Sequence, residues 1–111
     1  MAEQQSPTPL TPTKATEFIR SQMGPTLRLN WTGHARERLI ERNLIMGDVL
    51  HVLKNGFVLE DAEESTRPGY FKYRMEGKTP NSGARSVAVI VIPDGANNEL
   101  KVLTVMWNDE R

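Results

Sequence analysis

The stretch YFKYRMEGKTPNSGARSVAVIVI at residues 70–92 decides the fold. Over residues 70–76 large apolar side chains alternate with cationic ones, which is the period of a strand with one face in a core. The apolar positions are Phe71, Tyr73 and Met75, and the opposite positions are Tyr70, Lys72 and Arg74. Residues 86–92 (SVAVIVI) are apolar at almost every position, which is typical of a central strand buried on both faces.

Two further strands flank this pair. Pro93, Asp94 and Gly95 predict a tight turn into a hairpin partner at residues 100–107, and a short strand is expected at residues 57–61. Together these segments predict a roughly four-stranded antiparallel sheet.

Helical patterns precede the strands. Residues 14–23 carry an apolar stripe, with Thr13 as the predicted N-cap and Gly24-Pro25 as the stop. After a short extended piece at residues 26–31, Thr32 opens a second helix that runs to about residue 43. A third covers residues 45–53 and is expected to end in a left-handed cap at Asn55-Gly56. Its predicted inward residues are Val49, Leu50, Val52 and Leu53.

Helices followed by antiparallel strands indicate an α+β fold, with two or three N-terminal helices packed on one face of the sheet. Residues 1–13 are rich in Pro, Thr and Gln and hold one large apolar residue, Leu10, so we predict a flexible arm there. Residues 14–111 are predicted to form a single domain, since 111 residues leave no room for a second core.

The overall composition excludes several classes of protein. The chain has no Cys, which removes disulfides, thiol nucleophiles and iron–sulfur clusters. It shows neither a signal-peptide pattern nor an apolar run near the ~20 residues that span a bilayer, so we expect a cytoplasmic protein without membrane contact. The net charge of zero argues against indiscriminate nucleic-acid binding.

The charges are nevertheless segregated along the chain. Residues 26–42 hold four Arg against two Glu, and residues 66–85 hold five cations against one Glu. Residues 57–65 hold four acids and no base. Because two basic segments are separated by an acidic one, a neutral chain can still bind an anionic ligand at one local site.

The second helix places three side chains on one ridge. His34, Arg38 and Arg42 follow at steps of four residues, next to an apolar arc. One interpretation is a solvated face laced with ion pairs, because Glu41 lies three residues from Arg38. The other is an anion-binding ridge, in which His34 adds a proton carrier near neutral pH. A lone His at such a position is often structural.

The basic strand face also has two interpretations. Lys72 and Arg74 are typical of an edge strand protected against aggregation. Tyr70 beside two cations is also the composition that stacks a base and clamps its phosphates. Arg85, where the central strand begins, is expected to point toward the same groove. No metal site is predicted, since His51 has no second His or clustered carboxylates nearby, and we find no cofactor motif.

The segment TGHARERLIERNLIMGDVLHVLKNG at residues 32–56, followed by an acidic stretch, a Tyr/Lys/Arg strand and ELKVLTVMW at residues 99–107, resembles the family called domain of unknown function 4258 (DUF4258). That family is similar to the RelE-like bacterial toxins, including BrnT-like and MqsR-like proteins. The chain departs from the usual pattern in lacking a Ser or Thr cap before the third helix and in carrying the proline-rich arm.

The resemblance implies a small α+β domain acting as the toxin of a bacterial type II toxin–antitoxin pair. Many such toxins are metal-independent endoribonucleases (mRNA interferases), a class of hydrolase, that are held inactive by a cognate antitoxin, for which a helix-turn-helix protein is one candidate. The candidate catalytic residues are His34, Arg74 and Tyr70. The candidate RNA- or phosphate-binding residues are Arg38, Arg42, Lys72 and Arg85. The alternative is a non-catalytic module that binds RNA or an acidic protein partner.

Overall fold

The computed structural model describes residues 8–110. Within them the chain forms three α-helices: α1 (Pro12–Gln22), α2 (Gly33–Glu41) and α3 (Met46–Asn55). The strands are β1 (Arg28–Trp31), β2 (Phe57–Val58), β3 (Glu63–Glu64), β4 (Phe71–Gly77), β5 (Val87–Asp94) and β6 (Glu99–Trp107). A short 3₁₀ turn, Gly95–Asn97, joins β5 to β6. The predicted α+β class is confirmed.

The sheet is larger than predicted. Its six strands run in the order β1-β6-β5-β4-β2, and β3 also pairs with β4. The extended piece before α2 joins the sheet as β1 and runs parallel to β6, with Leu29 opposite Leu100. The prediction of a purely antiparallel sheet is therefore wrong at this edge. A parallel pair needs a long crossover, and the partners here are some seventy residues apart, which local patterns do not reveal.

All three helices pack on one face of the sheet, as predicted. A single core cluster unites Ile19 of α1, Leu39 of α2 and Leu53 of α3 with the alternate strand residues Tyr73 and Met75. Register places Tyr73 opposite Val91 and Met75 opposite Val89, so the same face continues across the sheet. The alternation read from residues 70–76 is thus confirmed.

The central strand is not buried equally on both faces. Val87, Val89 and Val91 are fully buried in the core; on the other face Ala88 is fully buried, but the larger Ile90 and Ile92 are half-buried. The helices cover only the first face. The prediction that residues 86–92 are buried on both faces is therefore wrong for the larger side chains of the second face.

The first helix starts earlier than predicted, at Pro12 rather than at residue 14. Thr11, not Thr13, is its N-cap and accepts a hydrogen bond from the Lys14 N–H at 3.3 Å. Upstream, the Leu10 N–H donates to the Tyr73 hydroxyl at 2.9 Å. Residues 1–7 of the predicted arm lie outside the described residues.

Gly56 does not form the predicted left-handed cap of α3. Its φ of −82° is open to any residue; among described non-glycine residues the left-handed positions are Asn43, just after α2, and Asn98. Gly56 is needed because the chain passes very close to its neighbours. A Cβ at this position would lie 2.5 Å from the Glu76 carbonyl oxygen and 2.7 Å from that of Val52.

The inner face of α3 also differs at one residue. Leu50, predicted to point inward, is 40% exposed, whereas Asp48 is 3% exposed. The Asp48 carboxylate accepts hydrogen bonds from the Thr79 hydroxyl at 2.7 Å, the Ile45 N–H at 3.0 Å and the Asn81 amide at 3.1 Å. This network replaces the missing N-terminal cap and ties α3 to the loop between β4 and β5.

The buried carboxylate of Asp48 predicts a loss of stability in acid. Burial raises the pKa of Asp48, but the hydrogen bonds from Thr79, Ile45 and Asn81 outweigh burial and leave this pKa below its ordinary value of 3.8. The ionised carboxylate therefore stabilises the fold fully above about pH 5 and stops doing so as the pH falls through the lowered pKa. We expect the free energy of unfolding of Asp48→Asn to vary less between about pH 5 and pH 2 than that of the unmodified chain, measured by urea denaturation. The exposed Asp61→Asn is the control, and an equal pH dependence in both variants would contradict this assignment.

Candidate nucleic-acid interface

The face of the sheet opposite the helices, which we call the open face, carries the basic strand residues. Lys72 and Arg74 alternate with the buried residues of β4 and so point away from the core. Across the four strands β1, β4, β5 and β6 this face holds four basic and three acidic residues. They are Arg28, Lys72, Arg74 and Lys101, with Glu76, Asp94 and Glu99. The near-balance favours recognition at particular points over broad electrostatic attraction.

Tyr70 lies at the rim of a pocket on this face. The guanidinium of Arg67 stacks over its ring at 4.0 Å from the centroid, and its hydroxyl donates to Asp94 Oδ2 at 3.4 Å. The adjoining pocket has a volume of about 410 Å³ and mixes charged groups with the side chain of Ile92. A flat group that slid into it would meet an aromatic ring, two carboxylates and the Lys101 ammonium.

Lys72 and Arg74 both have carboxylate partners in the folded chain. Lys72 Nζ lies 3.8 Å from Glu63 Oε1 across the β3–β4 pair. Arg74 Nε lies 3.4 Å from Glu76 Oε2, and its Nη2 donates to Asn108 Oδ1 at 2.7 Å. The side chain of Arg74 is only 12% exposed, so its guanidinium is held in one orientation at the surface.

The ridge of α2 is an ion-paired face, which is the first of the two interpretations of its spacing. Arg38 binds Glu41, and Arg42 binds both Glu41 at 3.0 Å and Glu110 at 2.8 Å. His34, in the first turn of the helix, is exposed. These contacts leave Arg42 at the centre of a charged cluster.

The sheet separates His34 from Arg74. Helix α2 packs through Ala35 and Leu39 onto the core face at β6, whereas Arg74 projects from the open face of β4. Strand β5 lies between β6 and β4, so the two backbones are about two strand spacings, roughly 10 Å, apart even before the thickness of the sheet is added. The structure therefore gathers Tyr70, Lys72 and Arg74 on one side and leaves His34 with the helices.

Arg85 does not lie in the strand. The strand begins at Val87, and Arg85 precedes it in the loop. Its guanidinium donates to both carboxylate oxygens of Asp109, at 2.7 and 3.1 Å, and stacks over the Trp107 ring at 4.1 Å. The hydrogen bond from Arg85 also holds the pKa of Asp109 below its usual value.

A turn at residues 107–110 joins three of the candidate cations. Its consecutive side chains Asn108, Asp109 and Glu110 bind Arg74, Arg85 and Arg42 respectively. From the sequence, Asp109 and Glu110 were treated only as charges, and Asn108 was not considered. Acids directly after an apolar strand are a signal of a polar turn. The partners of Asn108, Asp109 and Glu110 nevertheless lie 34, 24 and 68 residues away and cannot be predicted from local spacing.

No group of three or more His, Cys, Asp or Glu side chains that could hold a metal ion occurs within residues 8–110. In the same range, no helix combines the length and apolar character needed to cross a bilayer.

Comparison with known protein families identifies the family to which the candidate site residues belong. The family model described as domain of unknown function (DUF4258) matches residues 31–107. The chain belongs to the DUF4258 family. The DUF4258 match runs from Trp31, the last residue of β1, to Trp107, the last residue of β6, and so includes every candidate site residue. Helix α1 and residues 108–110 of the turn lie outside the match. Neither a curated protein nor a solved structure matches the chain, so the similarity to RelE-like toxins stays a prediction.

Proposed function

We propose that this chain is the toxin of a bacterial type II toxin–antitoxin pair, with a RelE-like fold, and that it acts as a metal-independent endoribonuclease in the cytoplasm. The observation that carries the proposal is the placement of Tyr70, Lys72 and Arg74 together on the open face of the sheet, away from the helices. Tyr70, which stacks with Arg67, and the cations Lys72 and Arg74 line neighbouring pockets of this face. An aromatic ring and cations on one face match the chemistry of single-stranded RNA, which offers bases for stacking and phosphates for ion pairing.

Cleavage without a metal uses the 2′-hydroxyl of RNA as the nucleophile. A base takes its proton, an acid protonates the leaving 5′-oxygen, and cations stabilise the negative charge that develops on phosphorus. Arg74 suits the last role, because its nearly buried guanidinium is held by Asn108 and Glu76. Lys72, which is more exposed and only loosely paired with Glu63, suits binding of a neighbouring phosphate.

The proton carrier must reach the reacting oxygens. Tyr70 shares the open face with Arg74 and is the candidate for this role there. His34 lies on the opposite side of the sheet, so its proposed catalytic role requires RNA to bend around the end of the sheet toward α2. Arg38, Arg42 and Arg85 bind phosphates along that route in this proposal.

A second candidate function is a non-catalytic module that binds RNA or an acidic protein segment. The separation of His34 from Arg74 favours it, and so do the ion pairs made by Arg38, Arg42 and Arg85. In this function the same cations exchange their carboxylate partners for those of the ligand, and no bond is broken.

An antitoxin partner is part of the first proposal. Large apolar side chains are exposed along α3 and the segment after it, where Ile45 is 60%, Phe57 54% and Leu59 66% exposed. Large apolar side chains left exposed at both ends of one helix are candidates for a protein–protein contact. We propose that the antitoxin covers this region, and co-expression with a helix-turn-helix protein encoded next to the chain is the direct test.

Incubation of the purified protein with RNA in EDTA decides between the two functions. Site-specific cuts support the ribonuclease, whereas RNA that is retained but uncut supports the binding module. We expect Arg74→Ala to slow cleavage at least about tenfold and to relieve growth arrest on expression, because the charge on phosphorus loses its closest cation.

Arg36→Ala is the matched control, since Arg36 is exposed on α2 and makes no side-chain hydrogen bond or ion pair within residues 8–110. Arg74→Lys keeps the charge and shows whether the planar guanidinium is required. Full cleavage by Arg74→Ala would place the active site elsewhere. His34→Ala is also predicted to relieve growth arrest, and full toxicity of that variant would remove His34 from the site.

A further inference from the structure

The turn at residues 107–110 binds three arginines that come from three separate parts of the chain. Arg42 is the C-cap residue that follows α2, Arg74 lies in β4, and Arg85 precedes β5. Each is bound by a different one of three consecutive residues: Glu110, Asn108 and Asp109. The tertiary structure thus brings separate cations to one short acidic segment.

The turn is itself held in place. The Glu110 N–H donates to the Trp107 carbonyl at 3.0 Å, and Glu110 Oε2 accepts from the Trp107 N–H at 3.3 Å. The Asn108 N–H donates to the Ser86 carbonyl at 2.8 Å, and the Trp107 ring supports Arg85 from below. Both carboxylates are therefore presented to the arginines by an ordered backbone.

The contacts of Arg85 and Arg42 have the geometry that arginine adopts with a phosphate. Arg85 donates through Nε and Nη2 to the two carboxylate oxygens of Asp109. The Nε and Nη2 of Arg42 both lie 2.8 Å from Glu110 Oε1. Such paired N–H donors recognise carboxylate and phosphate oxygens alike. Glu110 also acts on Arg85, whose pKa is raised first by its hydrogen bond to Asp109 and further by the charges of Asp109 and Glu110.

The two ion pairs differ in how easily they exchange. The side chain of Asp109 is 61% exposed and that of Arg85 48%, and solvent-exposed pairs contribute little net stability. The Arg42 and Glu110 side chains are 24% and 28% exposed, so this pair is open to solvent on one side only. An incoming anion with several phosphates can therefore replace the two carboxylates without disrupting the core.

We propose that Asp109 and Glu110 are an internal phosphate mimic that covers an anion-binding site made by Arg42 and Arg85, and that the phosphodiester backbone of RNA competes with them for these two guanidinium groups. The turn thereby lowers the affinity of the resting protein for RNA. This inference rests on the RNA binding in the proposed function and does not require cleavage.

The test measures binding of a 2′-O-methyl oligonucleotide, which lacks the nucleophile and cannot be cut. We expect Asp109→Asn/Glu110→Gln to bind it about tenfold more tightly than the unmodified chain, as two freed arginines each gain a phosphate. The dependence of log K on log salt should steepen by about 1.4, since each phosphate neutralised on a single strand contributes about 0.7.

Glu17→Gln/Glu37→Gln is the control with the same change in net charge. Both residues are exposed on helices and make no side-chain hydrogen bond or ion pair within residues 8–110. Equal affinity in the two double variants would overturn the proposal, as would a complete lack of binding by both. Glu110→Gln alone, with a smaller gain in affinity, repeats the test if the double variant is unstable.

Cleavage of unmodified RNA by the same proteins separates this inference from the proposed function. Tighter binding by Asp109→Asn/Glu110→Gln without any cleavage upholds the phosphate mimic and rejects the ribonuclease. Cleavage by all variants, with the affinity of the double variant equal to that of the control, upholds the ribonuclease and rejects the phosphate mimic.

Discussion

Substitution of Gly56 by alanine is expected to lower the free energy of unfolding by about 3 kcal/mol, near the upper end of the usual range for steric overpacking. An added Cβ would lie 2.5 Å from the Glu76 carbonyl oxygen and 2.7 Å from the Val52 carbonyl oxygen. Both obstacles are backbone atoms in regular elements, so neither can move away by changing a rotamer. The steric clash can be relieved only if α3 and β4 move apart next to the point where Phe57 pairs with Glu76.

Urea denaturation of Gly56→Ala and Gly33→Ala checks this expectation. Gly33 is the first residue of α2, and a Cβ there would meet nothing within 4 Å. We expect Gly33→Ala to be neutral or slightly stabilising, because alanine restricts the unfolded chain and favours a helix. Similar losses of stability in the two variants would show that the close approach at Gly56 is not the cause.

Substitution of Asp48 by alanine is expected to cost about 3 kcal/mol of stability near neutral pH, because it leaves one buried and two partly buried donors without their acceptor. The Thr79 hydroxyl, the Asn81 amide and the Ile45 N–H all donate to this carboxylate. The loss should appear as a lower midpoint in urea and as faster hydrogen exchange in the loop at residues 78–86, which joins the two central strands.

Asp48→Asn distinguishes hydrogen bonding from burial. The amide keeps one acceptor oxygen and nearly the same volume, so we expect it to lose about half as much stability as alanine. Asp61→Ala, an exposed aspartate outside the network, serves as the control. A loss of less than about 1 kcal/mol for Asp48→Ala would show that water replaces the carboxylate.

Local patterns predicted a large part of the fold. The alternation at residues 70–76 identified β4 and assigned each of its faces, and Thr32 was correctly identified as the start of α2. These features depend on neighbours within a few residues along the chain. The predictions at Gly56 and Leu50 were wrong because they depend on residues that are distant along the chain. The close approach of β4 determines why a glycine is needed at Gly56, and the orientation of α3 on the sheet determines the exposure of Leu50.

The candidate site was predicted less completely. The sequence indicated Tyr70, Lys72 and Arg74 as a group because they share one face of one strand. It could not show that the sheet separates His34 from them, or that Arg42 and Arg85 bind the 107–110 turn. Each of these relations joins residues that are distant along the chain.

The sequence by itself determined the α+β class, the helices, and the strand on which the basic face lies, because hydrophobic periodicity and capping act over one or two turns of chain. Only the tertiary structure decided that β1 pairs in parallel with β6, and that three arginines meet one acidic turn. The physical reason is that long-range pairing depends on how complete elements pack together. A charge shows its sign in the sequence, but it acquires its partner only in the folded chain.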